Sequence, residues 1–99
     1  SSDKRLKKNI KNIENPIDKI KKLNGISFEW KRETDERVMN KTNLGVIAQE
    51  VQEVLPEIVK ERDDGYLAIK YEQLVPVLIE GMKEQQKQID ELKQKLEEL

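Results

Sequence analysis

Apolar residues recur at alternating spacings of three and four through the last quarter of the chain. This is the heptad pattern of a helix that buries one narrow stripe against other helices. The stripe, called the seam below, occupies heptad positions a and d: Val75, Leu78, Met82, Gln85, Ile89, Leu92, Leu96 and Leu99. Lysine and glutamate dominate the remaining positions. The pattern therefore predicts a C-terminal coiled-coil helix over 75–99 and a chain that associates with copies of itself.

The seam leaves two alternatives open. It could dock on the chain's own globular part, although its charged flanks leave little apolar surface for a domain to cover. The mixture of Val, Met, Ile and Leu at position a does not choose between two and three strands. Gln85 is a candidate register residue, because a buried amide needs a partner amide in the neighbouring helix.

Helical patterns also open the chain. Leu6, Ile10 and Ile13 share one face of a predicted first helix. Either Ser2 or Asp3 can cap that helix. An Asn-Pro pair then predicts the start of a second short helix, and an Asn-Gly pair predicts its end.

The period then changes to that of strands. Ile26, Phe28 and Trp30 alternate with polar residues, which predicts a strand. A helix is predicted over 47–55, where Ile47, Val51, Val54 and Leu55 share one apolar face. Two strands within 58–70 flank an Asp-Asp-Gly turn. The predicted fold class is α+β: short N-terminal helices, small β-strands with a hairpin, and a long C-terminal helix in a trimeric coiled coil.

These patterns divide the chain into a small α+β domain, 1–74, and the coiled-coil helix, 75–99. Residues 32–43 are polar, highly charged and without an apolar period, which predicts a protruding loop or a hairpin whose contacts lie outside the monomer. A core built from so short a domain is small, and this is a second reason to expect oligomerisation.

Composition excludes several kinds of chemistry. The 99 residues include neither cysteine nor histidine, so thiolate chemistry and the commonest metal ligand are absent. We therefore expect no metal and no cofactor. The net charge of −1 comes from interspersed charges of both signs, which does not indicate nucleic-acid binding. No apolar run reaches membrane length, so no membrane partner is expected.

The candidate nucleophiles are therefore Ser, Thr and Lys. Ser2 lies five residues before Lys7, in a cluster of basic residues. A lysine amine can activate a serine hydroxyl when burial or neighbouring cations favour its neutral form. The spacing alone does not distinguish such a pair from a capping serine that precedes a basic helix.

The motif SDKRLKKNI at 2–10 resembles the opening signature of the intramolecular chaperone auto-processing domain, the peptidase S74 family. Later stretches resemble the motifs that follow in that family, in the same order: GISFEW at 25–30, LGVIAQEV at 44–51, LPE at 55–57, and GY with YEQLVP within 65–76. The resemblance covers essentially the whole chain.

This resemblance implies a domain at the end of a phage tail fibre or tailspike. Such a domain trimerises, assists the folding of the upstream fibre, and is then released by autoproteolysis. Carried over to this sequence, the nucleophile is Ser2, the base is Lys7, and the bond cut lies immediately before Ser2. The 32–43 loop would belong to an arm that grips the upstream client. The process would take place in the host cell cytoplasm, with the released domain absent from the mature virion.

Two alternatives accompany the resemblance. Cleavage could fall before Ser1, which would then be the nucleophile. We prefer Ser2 because it directly precedes Asp3, as in the signature. A non-catalytic coiled-coil oligomerisation module is the alternative function.

Overall fold

The computed structural model describes residues 1–31 and 41–99. The predicted loop 32–43 therefore lies outside the described residues, apart from 41–43. In chain order the elements are a 3-10 helix (Lys4–Leu6), α1 (Pro16–Lys21), β1 (Ile26–Phe28), β2 (Asn43–Gly45), α2 (Ala48–Val54), a 3-10 helix (Pro56–Ile58), β3 (Val59–Glu61), β4 (Leu67–Ile69), a 3-10 helix (Tyr71–Gln73) and α3 (Leu74–Glu97). The predicted α+β class is confirmed.

The strands of the described residues form two antiparallel pairs. In the first, β1 pairs with β2, and Ile26 lies opposite Gly45. In the second, β3 pairs with β4, and Val59 lies opposite Ile69. The predicted hairpin is confirmed: Gly65 adopts a φ of 87° in the Asp-Asp-Gly turn, a conformation that favours glycine.

A small core joins α2 to α3. Its buried residues come from α2, the 3-10 helix that follows it, and α3: Val51, Leu55, Ile58 and Val77. Half-buried residues from α1 and both later strands surround it. The predicted apolar face of α2 is thus confirmed for the two residues that lie deepest, because Val51 is 0% and Leu55 4% exposed.

The helix α1 is short and packs mainly against α3. The two helices meet at Gly81, where an added Cβ would collide with the Ile20 side chain. The Glu84 carboxylate of α3 accepts a hydrogen bond from the Ile17 N–H, at 3.4 Å, in the first turn of α1. The predicted start at the Asn-Pro pair is confirmed, although the Asn15 side chain makes no cap bond. The Glu84 carboxylate, which is distant in sequence, therefore accepts a hydrogen bond from a backbone N–H at the start of α1.

A second contact with α3 lies just before α1. The Asn12 amide donates to a Glu80 carboxylate oxygen at 2.6 Å. The Asn12 amide, and after it the Lys83 ammonium, lower the pKa of Glu80. The segment that leads into α1 is thereby attached to the long helix.

The prediction of a first helix with Leu6, Ile10 and Ile13 on one face is wrong. Only one 3-10 turn forms, and Asn9 then adopts a left-handed φ of 54°, which an α-helix does not accommodate. Leu6 and Ile10 are 75% and 64% exposed. Helical spacing of apolar residues produces a helix only where a surface covers them, and within one chain these two side chains lie at the surface.

Replacing Gly81 with leucine should force α1 away from α3. Overpacking at such a contact lowers the free energy of unfolding by about 1–3 kcal/mol. Gly25→Leu is the matched control, because an added Cβ there meets nothing within 4 Å and its φ is not left-handed. Thermal unfolding at one protein concentration would measure both variants, and equal melting temperatures would contradict the close contact.

Candidate functional site

The structure brings Ser2 and Lys7 together. The Lys7 Nζ donates a hydrogen bond to the Ser2 Oγ at 3.2 Å, and both side chains are exposed. The contact forms within one chain. Ser2 lies outside helical structure, because the first 3-10 helix begins at Lys4.

The 3-10 turn explains how residues five apart can meet. Leu6 N–H donates to the Asp3 carbonyl at 3.0 Å, and Lys7 N–H donates to the Lys4 carbonyl at 3.1 Å. Lys7 itself is extended, with φ −116° and ψ 145°. In an α-helix, residues five apart point about 140° from each other. The tight turn and the extended residue after it return the Lys7 side chain to Ser2.

Asp3 holds this turn through its side chain. Its Oδ1 accepts the Arg5 N–H at 2.9 Å and the Arg5 Nε at 3.1 Å. Its Oδ2 accepts the Arg5 Nη2 at 2.9 Å. These bonds to the Arg5 side chain, and then the bond to its N–H, keep the pKa of Asp3 below its usual value. Of the two predicted caps, Asp3 is the one that the turn uses.

The Ser2–Lys7 pair has the composition of a nucleophile beside its base. When the lysine amine is neutral, it can accept the hydroxyl proton across the same contact. A hydroxyl in this position is next to the carbonyl of the residue that precedes it in the chain. The arrangement therefore suits attack on the Ser1–Ser2 peptide bond.

Among residues 1–31 and 41–99, no group of three or more carboxylate, histidine or cysteine side chains could hold a metal ion. The helices in the same ranges include none that combines the length and the apolar character of a membrane span.

The seam of α3 lies at the surface. Met82 is 74% exposed and Leu92 60%, whereas Val77, which is not a seam residue, is buried. Gln85 is exposed as well. The alternative in which the seam docks on the chain's own globular part is therefore wrong for the described residues. The helix packs one face against α1 and the core and leaves the seam exposed.

Sequence reasoning missed two features near these sites. Ile79 is 54% exposed and widens the apolar stripe beside the seam, although it occupies neither a nor d. The two-pronged contact between Arg5 and Asp3 was also missed. Its only signal in the sequence is an aspartate two residues before an arginine, which is common elsewhere.

These features define a class of protein: a small α+β domain with a serine–lysine contact at its start and an exposed apolar seam on its C-terminal helix. Residues 2–60 match the model of the Peptidase S74 family, described as chaperone of endosialidase. The chain belongs to this family, as its motifs predicted.

Its relatives include long tail fiber proteins of phages. Long tail fiber protein Gp37 of Enterobacteria phage K3 is 38% identical over 99 residues, which cover 96% of this chain and 8% of that protein. Gp37 of Salmonella phage S16 is 36% identical over 104 residues, covering 100% of this chain and 14% of the relative. Gp37 of Escherichia phage AR1 is 46% identical over 66 residues, which cover 65% of this chain and 6% of that protein. The chain thus spans a small fraction of the length of these relatives.

Proposed function

We propose that this domain is an intramolecular chaperone at the C-terminal end of a phage tail fibre. It assembles as a homotrimer, assists the folding of the upstream fibre chains, and then releases itself by cutting the bond before Ser2. The observation that carries the proposal is the 3.2 Å contact between Lys7 Nζ and Ser2 Oγ in a chain of this family. The similarity to long tail fiber proteins supports the choice of client.

The cleavage needs only atoms that the chain and water provide. Ser2 Oγ attacks the carbonyl carbon of Ser1 while its proton passes to the neutral Lys7 amine. The C–N bond then breaks, and Lys7 returns the proton to the departing Ser2 nitrogen. The product is an ester between the Ser1 carbonyl and Ser2 Oγ. Water hydrolyses this ester, which leaves a carboxylate on the upstream chain and a free amino group on Ser2.

The exposed seam supports assembly. Seven of its eight residues are apolar, and an isolated helix of this length is marginal in water. Packing the seam against two further copies buries these side chains and adds stability to a domain whose own core is small. Three copies also match the stoichiometry that the family resemblance implies.

The test is a chain extended upstream by its native fibre segment. We expect the purified protein to run as two pieces, and mass spectrometry of the smaller piece should give an N-terminus at Ser2. A product that begins with Ser1 would instead assign the nucleophile to that residue. An assembled protein that stays full length would contradict self-cleavage and favour the non-catalytic oligomerisation module.

A further inference from the structure

Asp3 and Arg5 form a compact ion pair beside the proposed nucleophile. The Arg5 guanidinium contacts both oxygens of the Asp3 carboxylate, at 3.1 Å from Nε and 2.9 Å from Nη2. The same carboxylate also accepts the Arg5 N–H. Three hydrogen bonds therefore join Asp3, the residue after Ser2, to Arg5 in the middle of the 3-10 turn.

We propose that Asp3 and Arg5 are positioning residues, which hold the turn in the shape that places Lys7 Nζ against Ser2 Oγ. The inference rests on the proposed function in that the positioned groups are the nucleophile and base of self-cleavage. Asp3 sets the direction in which the chain leaves towards Ser2, and Arg5 lies two residues before Lys7. A bond between them therefore spans the turn that separates the two reacting groups.

The exposure of this pair argues against a role in folding. The Arg5 and Asp3 side chains are 88% and 43% exposed. Ion pairs in water contribute little to the stability of a fold. A two-pronged contact between a guanidinium and a carboxylate nevertheless fixes geometry more strictly than a single bond does. Its loss should therefore affect the local turn and leave global stability unchanged.

The hairpin offers a matched control. Arg62 and Asp64 are also two residues apart, their side chains meet at 2.9 Å, and they are 60% and 44% exposed. Asp64 also accepts a backbone N–H, that of Tyr66, at 3.0 Å. This second pair has the same chemistry but lies in a different turn, so its removal should not alter cleavage.

The first experiment measures the rate of self-cleavage in the upstream-extended chain. Arg5→Gln and Asp3→Asn should each slow cleavage about tenfold or more, because small misplacement of reacting groups has effects of this size. Arg62→Gln and Asp64→Asn should cut at the unmodified rate. All four should keep the oligomeric state and melting temperature of the parent.

Arg5→Lys separates geometry from charge. Lysine keeps the positive charge but cannot form the two-pronged contact, so this variant should also cut slowly. The double variant Asp3→Asn with Arg5→Gln should lose no more than the worse single variant, because the two side chains act as one unit. Full activity in Arg5→Lys, or additive losses in the double variant, would overturn the positioning role.

A second experiment does not depend on cleavage. In the 99-residue chain itself, nuclear Overhauser contacts between the Ser2 and Lys7 side chains should be present, lost in Arg5→Gln, and retained in Arg62→Gln. Contacts that persist in Arg5→Gln would refute the inference even if Ser2 and Lys7 prove catalytic. Conversely, if Ser2→Ala is still cut, the proposed function fails, while these contacts still report whether Arg5 holds the turn.

Discussion

In an upstream-extended chain, Lys7→Ala should abolish cleavage while the chains still assemble. Lys7 Nζ is the group that contacts the Ser2 hydroxyl, at 3.2 Å. Without it, no base lies in place to take the hydroxyl proton. Lys7→Arg should fail as well, because a guanidinium stays protonated and cannot act as a base. Gel electrophoresis and mass spectrometry of the purified chains would show an uncut species in both cases.

Lys8→Ala is the matched control for this prediction. It removes an exposed positive charge from the neighbouring position and should leave cleavage intact. Ser2→Ala should resemble Lys7→Ala, since it removes the nucleophile. Cleavage of Lys7→Ala at the unmodified rate would remove Lys7 as the base. A chain that is cut with Ser2→Ala but uncut with Ser1→Ala would move the nucleophile to Ser1.

Ile89→Asp should convert the proposed trimer into monomers. Ile89 occupies position a of the seam and is 45% exposed in the single chain. In a trimer the substitution would bring three carboxylates together in a water-poor interface, where unpaired charges are strongly unfavourable. Sedimentation equilibrium should give three times the chain mass of 11.6 kDa for the parent and that single mass for the variant.

Gln94→Asp is the control, because it adds the same charge at an outer heptad position. It should sediment like the parent. A parent protein that stays monomeric at all concentrations would contradict self-association, and a dimer would contradict the three-stranded assembly.

The upstream-extended Ile89→Asp chain should also remain uncut. The Ser2–Lys7 contact forms within one chain, so assembly is not needed to bring these two groups together. What assembly can add is burial of exposed side chains and a fixed path for the upstream segment whose carbonyl is attacked. Efficient cleavage in a demonstrably monomeric Ile89→Asp chain would show that assembly does not control the reaction.

Sequence patterns predicted the elements whose structure is determined by residues close together in the sequence. The Asp-Asp-Gly turn predicted the hairpin, because Gly65 can adopt the left-handed conformation that the turn requires. The apolar face around Val51 and Leu55 predicted α2 and part of the core. The heptads predicted α3, which begins one residue before the predicted range.

Features that depend on distant contacts could not be predicted in this way. The spacing of Leu6 and Ile10 suggested a helix, but no neighbouring element in the described chain buries them. The side chain that accepts a hydrogen bond from the first turn of α1 is that of Glu84, far along the sequence. The adjacent Asn15 side chain makes no such bond.

The candidate site was predicted from motifs rather than from geometry. Five-residue spacing does not place Ser2 and Lys7 on one face of an α-helix. The resemblance to a family selected them, and the 3-10 turn capped by Asp3 supplies the physical means of contact. That turn depends on cap and ion-pair chemistry that many short sequences share, so spacing alone could not have identified it.

The attachment of α1 to α3 bears on the order of events during synthesis. Six residues are too few for α1 to persist as an isolated helix. Glu80 and Glu84, which hold it and the segment before it, are translated 68 and 67 residues after their partners Asn12 and Ile17. Domains emerge from the ribosome N-terminal part first. A nascent chain therefore carries Ser2 well before the helix that supports its surroundings exists. The order of translation by itself delays the attachment of α1 and the segment before it until α3 has been made.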